Sequence, residues 1–213
     1  MDGPLLPEVP PPHRPRRSAM RRIVERLKQE CAERALPPGP PLARGRANAA
    51  KLLGSFFGTG FLPMAPGTWG SLAALIIYVL ALSFTRLEPA AFGSLGCLLL
   101  FLLFSMASLA LGGDAQRAAA HKDPRWFVLD EMAGVFLALF ALAPYNFLFA
   151  GLAFLLFRLF DALKIGVVGQ VDRRLGGTVG ILLDDWVAGA MANLLVRGLA
   201  WVMLTAGLVS RAP

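Results

Sequence analysis

The chain has 213 residues, of which 56% are hydrophobic and only 16% are charged, and its formal net charge is +7. Soluble domains usually carry a charge on about a quarter of their residues, so this composition excludes an ordinary soluble domain and indicates a membrane protein. The only two cysteines, Cys31 and Cys97, show no metal-binding spacing and no disulfide framework. The first 50 residues contain no apolar core of a secretory signal.

Residues 1–50 are predicted to form a basic, partly disordered tail with one amphipathic helix. Residues 1–51 hold 11 Lys and Arg against 5 Asp and Glu, so nearly all of the net charge lies there. Residues 1–17 are rich in proline, which favours extended or disordered chain. Between residues 18 and 36 apolar side chains recur every three to four positions, as in a helix. We favour a mobile tail over a segment with a specific docking role. Its basic charge suggests contact with anionic lipid headgroups rather than with nucleic acid, because no nucleic-acid-binding module is visible.

Residues 51–213 are predicted to form an all-α, polytopic membrane bundle of four to five apolar helices. A spanning helix needs about 20 mostly apolar residues, and residues 89–113 contain no charged residue. The third and fourth segments are short and are separated by the turn sequence PYN, which favours a helical hairpin. The five apolar segments cover residues 71–84, 90–112, 131–143, 147–163 and 184–208.

The basic residues between these segments predict the orientation. With a cytoplasmic N-terminus, one set of loops covers residues 1–70, 113–130 and 164–183 and holds 17 Lys and Arg. The opposite set holds 2, which are Arg86 and Arg211. Since cytoplasmic loops are enriched in Lys and Arg, we expect the N-terminus to be cytoplasmic.

This orientation brings acidic residues of three segments to one membrane face. Asp130 and Glu131 begin the third segment, Asp161 ends the fourth, and Asp184 and Asp185 begin the fifth. Carboxylates packed together without a counter-charge repel one another. A divalent cation removes this repulsion, and oxygen ligands of this kind suit Mg²⁺. The sequence therefore predicts a magnesium site at the cytoplasmic face.

Local pairing is the alternative for each acidic residue. Asp161 has Arg158 three residues earlier on the same helix. Asp184 and Asp185 could instead stabilise a helix N-terminus through the helix dipole. We favour the metal site because acidic residues of three separate segments converge on one face.

Basic and loop residues at the same face predict a phosphate site. Arg158 and Lys164 offer a planar fork and a point charge, although both could instead balance Asp161 or reach toward the membrane surface. The loop GTGFLPMAPGTWGS, residues 58–71, combines glycines with hydroxyl side chains, and its backbone N–H groups could bind an anion. Ser71 is the expected N-cap of the first span. Arg197 interrupts the last apolar segment and has no role in this scheme.

Four motifs together resemble the phosphatidylglycerophosphatase A family of bacterial membrane phosphatases. They are GTGFLPMAPGTWGS, DPRWFVLDEMAG (residues 123–134), FRLFDALK (157–164) and DRRLGGTVGILLDDWVAG (172–189), and the resemblance covers roughly residues 53–207. It implies a Mg²⁺-dependent phosphatase that converts phosphatidylglycerophosphate to phosphatidylglycerol in phospholipid biosynthesis. It also implies a multi-pass protein of the bacterial inner membrane whose active site is cytoplasmic.

The resemblance carries residue roles with it. The implied catalytic residues are Asp130, Glu131, Asp161, Asp184 and Asp185, and the implied metal ligands are these five together with Asp172. The implied phosphate- or substrate-binding residues are Arg158, Lys164, Gly67, Thr68, Gly70 and Ser71. One departure is that Ile165 follows the motif lysine, where the family usually has proline.

Other chemistries fit the sequence less well. Neither cysteine begins a Cys-x₅-Arg motif, no Asp-x-Asp occurs, and neither His13 nor His121 lies near the acidic motifs. A metal-dependent phosphoalcohol transferase is disfavoured because its Asp-Gly-x₂-Ala-Arg signature is missing. A cation transporter is disfavoured because it would place its acidic residues near the membrane midplane. Water and an aspartate both remain possible nucleophiles.

Overall fold

The computed structural model describes residues 42–84, 92–142, 147–163 and 177–207. These residues belong to one compact unit, Leu36–Pro213. Within them the chain is helical and contains no strand. The predicted tail helix at 18–36 and the PYN turn lie outside the described residues, as do Lys164 and Asp172.

Six α-helices are present in the described part of the chain. They are α1 (Arg44–Gly54), α2 (Pro66–Phe84), α3 (Cys97–Ala119), α4 (Leu129–Leu139), α5 (Phe147–Leu163) and α6 (Gly177–Thr205). A 3₁₀ turn, Thr59–Phe61, precedes α2, and a π-helical turn, Phe92–Gly96, leads into α3.

The predicted all-α class is confirmed, and each of the five predicted apolar segments corresponds to one of the helices α2 to α6. The expected four to five helices are one short of the six described. The helix that the sequence analysis missed is α1, whose first seven residues were assigned to the tail. Its sequence, RGRANAAKLLG, has few large apolar residues. It is held by tertiary contacts instead, because Arg46 donates two hydrogen bonds to the carboxylate of Asp114 on α3.

The core of the bundle is the short helix α4. Nine of its eleven residues are buried, and it packs against α2, α3, α5 and α6. Three stretches are long and apolar enough to cross a membrane, namely Pro66–Phe84, Gly93–Ala119 and Gly177–Thr205. At 1.5 Å per residue α4 is only about 16 Å long, which is half of a bilayer's hydrocarbon thickness. The longer helices therefore surround a short one.

Helices α4 and α6 approach to backbone contact. A Cβ atom at Gly189 would clash with the carbonyl oxygen of Gly134, so two glycines form the crossing point. One turn further along α6, Asn193 Nδ2 donates to the carbonyl oxygens of Ala138 (2.9 Å) and Phe140 (2.6 Å). These carbonyls belong to the C-terminal end of α4, where no following helical turn supplies backbone N–H donors for them. The two contacts fix how far along α4 the helix α6 lies.

Two helices begin at least five residues earlier than the sequence predicted. Helix α2 starts at Pro66, so Ser71 is not its N-cap, and the Ser71 hydroxyl donates to the Gly67 carbonyl oxygen at 2.8 Å. Helix α6 starts at Gly177 and has no acidic residue in its first turn. The alternative in which Asp184 and Asp185 stabilise a helix N-terminus is therefore wrong. Thr178 packs against Gly112 of α3, which holds the additional N-terminal residues of α6 on the bundle.

The glycine crossing predicts a specific effect on stability. We expect Gly189→Ala to lower the free energy of unfolding by about 1–3 kcal/mol, because the added methyl group forces α6 away from α4. Gly198→Ala, on the same helix, is the matched control, since a Cβ there meets nothing within 4 Å. The control should be neutral or stabilising, as alanine is the better helix former. Thermal unfolding of the purified variants measures both changes in stability. If Gly189→Ala and Gly198→Ala had equal melting temperatures, the close contact of α4 and α6 at Gly189 would be contradicted.

Candidate active site

Three carboxylates from two helices converge at one end of the bundle. Asp130 and Glu131 lie in the first turn of α4, and Asp185 lies in the third turn of α6. One oxygen of each lies within 4.8 Å of the others, and Asp130 and Asp185 are buried. Among the described residues Glu131 Oε2 has no hydrogen-bond partner, although it is buried. Such an atom is costly unless a cation or a hydrogen-bond donor binds it.

A basic group lies beside these carboxylates on α5. Arg158 Nη1 donates to Asp161 Oδ2 at 2.6 Å, and the same nitrogen is 3.4 Å from Ser71 Oγ on α2. Both Arg158 and Asp161 are half-buried. The ion pair joins residues three apart on one helix, as the local alternative predicted. It does not remove Asp161 from the acidic cluster, because Asp161 still interacts electrostatically with Glu131 and Asp185.

The first turn of α2 closes the site through Gly67. A Cβ atom at this position would clash with Glu131 Oε1 and would lie 3.4 Å from Arg158 Nη1. The Gly67 backbone therefore lies against both the acidic and the basic side chains. Only a residue without a side chain allows this approach. The loop glycine thus joins α2 to the site formed by the other three helices.

Among the described residues, negative charge outnumbers positive charge in this cluster. The carboxylates of Asp130, Glu131, Asp161 and Asp185 lie there with the guanidinium of Arg158. Carboxylate oxygens are hard ligands, and a site with several of them suits a hard divalent cation such as Mg²⁺. The unpartnered oxygen of Glu131 and the surplus negative charge both fit such an ion.

The other predicted site residues have different surroundings. Asp184 is buried next to Asp185 but is not one of the three converging carboxylates. The Thr68 N–H donates to the Ala65 carbonyl oxygen at 2.9 Å. A side chain at Gly70 would meet Val128, so this glycine allows α2 to pack against the segment before α4. Lys164 and Asp172 lie outside the described residues, and the roles of all these residues stay predictions.

Asn193 is a positioning residue that the sequence analysis missed. It connects α6 to the C-terminal end of α4, and together with the glycine crossing it fixes how far along α4 the helix α6 lies. Its signal in the sequence was a single amide inside the apolar run 184–208. A buried amide in such a run needs partners, which makes it a candidate for contact between helices.

These features define an all-helical membrane protein with an acidic cluster, one arginine and a glycine-lined turn at one end of the bundle. The family model of phosphatidylglycerophosphatase A matches residues 52–200. The chain belongs to the phosphatidylglycerophosphatase A family, and it is therefore a phosphatase. The resemblance predicted from the four motifs is confirmed.

Relatives in three bacteria are similar to this chain. A Haemophilus influenzae phosphatidylglycerophosphatase A is 34% identical over 161 residues, covering 74% of this chain and 92% of that protein. The Escherichia coli phosphatidylglycerophosphatase A is 30% identical over 165 residues, covering 74% and 88%. A Bacteroides thetaiotaomicron protein with the provisional name phosphatidylinositol-3-phosphatase is 35% identical over 157 residues, covering 71% and 94%. No significant match to a solved structure was found.

The contact at Gly67 predicts that a substitution there lowers phosphatase activity but leaves the protein folded. In Gly67→Ala the new methyl group displaces the Glu131 carboxylate, which is the movable end of a side chain, so the bundle should remain intact. We expect phosphatase activity to fall about ten-fold or more, because a small misplacement of a reacting group is costly. Gly113→Ala is the control, since a Cβ there meets nothing within 4 Å. Phosphate release and melting temperature are measured together, and full activity in Gly67→Ala would contradict the prediction.

Proposed function

We propose that this phosphatase hydrolyses phosphatidylglycerophosphate to phosphatidylglycerol and inorganic phosphate, as a step of phospholipid biosynthesis, with Mg²⁺ as its cofactor. The observation that carries this proposal is the convergence of Asp130, Glu131 and Asp185 beside Arg158 at the end of an apolar bundle. A lipid whose chains lie in the membrane carries its phosphate at the membrane surface, where this end of the bundle is expected to lie. The family match and the names of two relatives support the same substrate.

Asp130, Glu131 and Asp185 would hold the Mg²⁺, with Asp161, Asp172 and Asp184 as further predicted ligands. A bound Mg²⁺ supplies polarisation of the phosphoryl oxygens and lowers the pKa of water.

Arg158 has the geometry to bind the phosphate. Its ion pair with Asp161 orients the guanidinium, and its remaining N–H groups can donate to phosphate oxygens. Lys164 and Thr68 are proposed to add contacts on the same phosphate. As the phosphorus–oxygen bond to glycerol breaks, negative charge grows on these oxygens, and fixed donors stabilise it. In one route water forms the new bond to phosphorus and the proton that it loses passes to the departing glycerol oxygen. In the other route an aspartate attacks, the glycerol oxygen takes a proton from solvent, and water then hydrolyses the aspartyl phosphate to release inorganic phosphate.

We further propose that the active site faces the cytoplasm from the bacterial inner membrane. Basic residues in the sequence support this orientation, since the loops predicted to be cytoplasmic hold 17 Lys and Arg and the loops predicted to lie opposite hold 2. The helices α2 and α6 begin near the cluster, whereas α3 and α5 end on the same side.

Removing a carboxylate tests the metal site. We expect Asp185→Asn and Glu131→Gln each to lower Mg²⁺-dependent phosphate release about 100-fold or more, because each variant loses a ligand charge. EDTA should abolish the activity of the wild-type protein, and added Mg²⁺ should restore it. Glu88→Gln is the matched control, since it removes a carboxylate that the sequence predicts to lie in a loop on the opposite side of the membrane. Wild-type rates in either of the first two variants, or in EDTA, would rule out the proposed site.

The Bacteroides relative makes phosphatidylinositol 3-phosphate the second candidate substrate. Gly67, Glu131 and Arg158 pack closely together, so we expect a phosphate on a flexible primary alcohol to enter more easily than one on a bulky ring. The predicted kcat/KM is at least about ten-fold higher for phosphatidylglycerophosphate, a difference of 1.4 kcal/mol in transition-state binding. Phosphate release from both lipids, in matched detergent micelles, measures this ratio, and a reversed preference would favour the second candidate.

A further inference from the structure

A second polar feature lies at the end of the bundle opposite to the acidic cluster. A cleft of about 160 Å³ is formed where the C-terminal end of α4, the N-terminal part of α5 and the C-terminal half of α6 meet. Its walls are mostly apolar and include Leu142, Phe149 and Val196. Arg197 and Trp201, one turn apart on α6, also line it. Arg197 follows Asp185 by twelve residues, which is about 18 Å along the helix.

Arg197 has little to bind within the described part of the bundle. Its Nη1 donates to the Ala141 carbonyl oxygen at 3.5 Å, which is a long hydrogen bond. The neighbouring carbonyls of Ala138 and Phe140 already accept from Asn193. A guanidinium carries five N–H donors, and among the described residues that line the cleft none is acidic.

An arginine within a membrane-spanning helix is expected to have an anionic partner. A charged side chain in a membrane-spanning helix is costly and is usually paired. The Arg197 side chain is exposed on the surface of the bundle, where it can extend toward the membrane surface. Trp201 is 67% exposed one turn further on, and tryptophans are enriched at the level of the lipid headgroups. The anion available at that level is a lipid phosphate.

We propose that this cleft binds a phospholipid of net negative charge, with its phosphate on Arg197 and part of one acyl chain against the apolar walls. Within the described lining, Arg197 gives the cleft a positive charge and no residue is acidic, so the cleft favours an anionic headgroup over a zwitterionic one. It is smaller than the pockets that enclose whole ligands, so the rest of the lipid lies in the bilayer. The site is separate from the proposed catalytic residues and does not depend on the proposed substrate.

Native mass spectrometry tests this site on the full-length protein, released from detergent micelles that contain equal amounts of phosphatidylglycerol and phosphatidylcholine. The wild-type protein should retain one phosphatidylglycerol in preference to phosphatidylcholine. Arg197→Gln should lower that retention about ten-fold, because a charge-assisted hydrogen-bond pair is lost. Phosphatase activity should stay at the wild-type level, since the cleft is far from the acidic cluster.

Two further variants separate the explanations. Arg125→Gln removes an exposed arginine outside the cleft and should leave lipid retention unchanged. Ala200→Leu fills the cleft without changing its charge and should reduce retention. Unchanged retention in Arg197→Gln, or equal retention of the two lipids by the wild type, would overturn the proposal. A lower melting temperature in Arg197→Gln with unchanged lipid retention would do the same, because it would indicate that Arg197 forms an ion pair within the protein.

Discussion

The close crossing of α4 and α6 is the contact on which the arrangement of the site depends. Gly134 and Gly189 bring the two backbones together, and Asn193 binds the carbonyl groups at the end of α4. In a membrane, helices gain little from burying apolar surface, so close packing and hydrogen bonds between helices decide their relative position. The carboxylates of Asp130 and Asp185 lie on these two helices near the crossing. Their spacing is therefore set by a glycine contact rather than by the acidic residues themselves.

The negative charge of the described cluster bears on how the proposed reaction on phosphate could take place there. The four carboxylates and one arginine that the structure describes would repel a phosphate on their own, and a bound divalent cation would turn this repulsion into attraction. Arg158 alone could not do so, because its ion pair with Asp161 already uses part of its charge. The acidic residues and the phosphate are thus compatible only when a cation lies between them, which links the proposed cofactor to the proposed substrate.

Much of this architecture could be predicted from the sequence, because long apolar runs and charged ends follow directly from the chemistry of the bilayer. Helices α2 to α6 and the shared end of Asp130, Asp161 and Asp185 are examples. The start of α6 could not be predicted from the sequence, because its N-terminal residues are held by the contact of Thr178 with Gly112, which lies far away in the chain. Helix α1 could not be predicted either, since the Arg46–Asp114 ion pair that holds it joins residues that are 68 positions apart. The periodicity of apolar residues predicts local secondary structure, whereas these two features depend on contacts between residues far apart in the sequence.

The two arginines within the apolar segments show how surroundings decide a residue's role. Arg158 is half-buried and paired with Asp161, so its charge is held in place within the acidic cluster. Arg197 is exposed and, among the described residues, donates only to a carbonyl oxygen. In the first case the protein supplies the counter-charge, so the proposed phosphate would meet a guanidinium that is already oriented. In the second case we propose that a lipid phosphate, the abundant anion of a bilayer, supplies the counter-charge. On these proposals both ends of the bundle bind phosphate, one for chemistry and the other for holding a lipid.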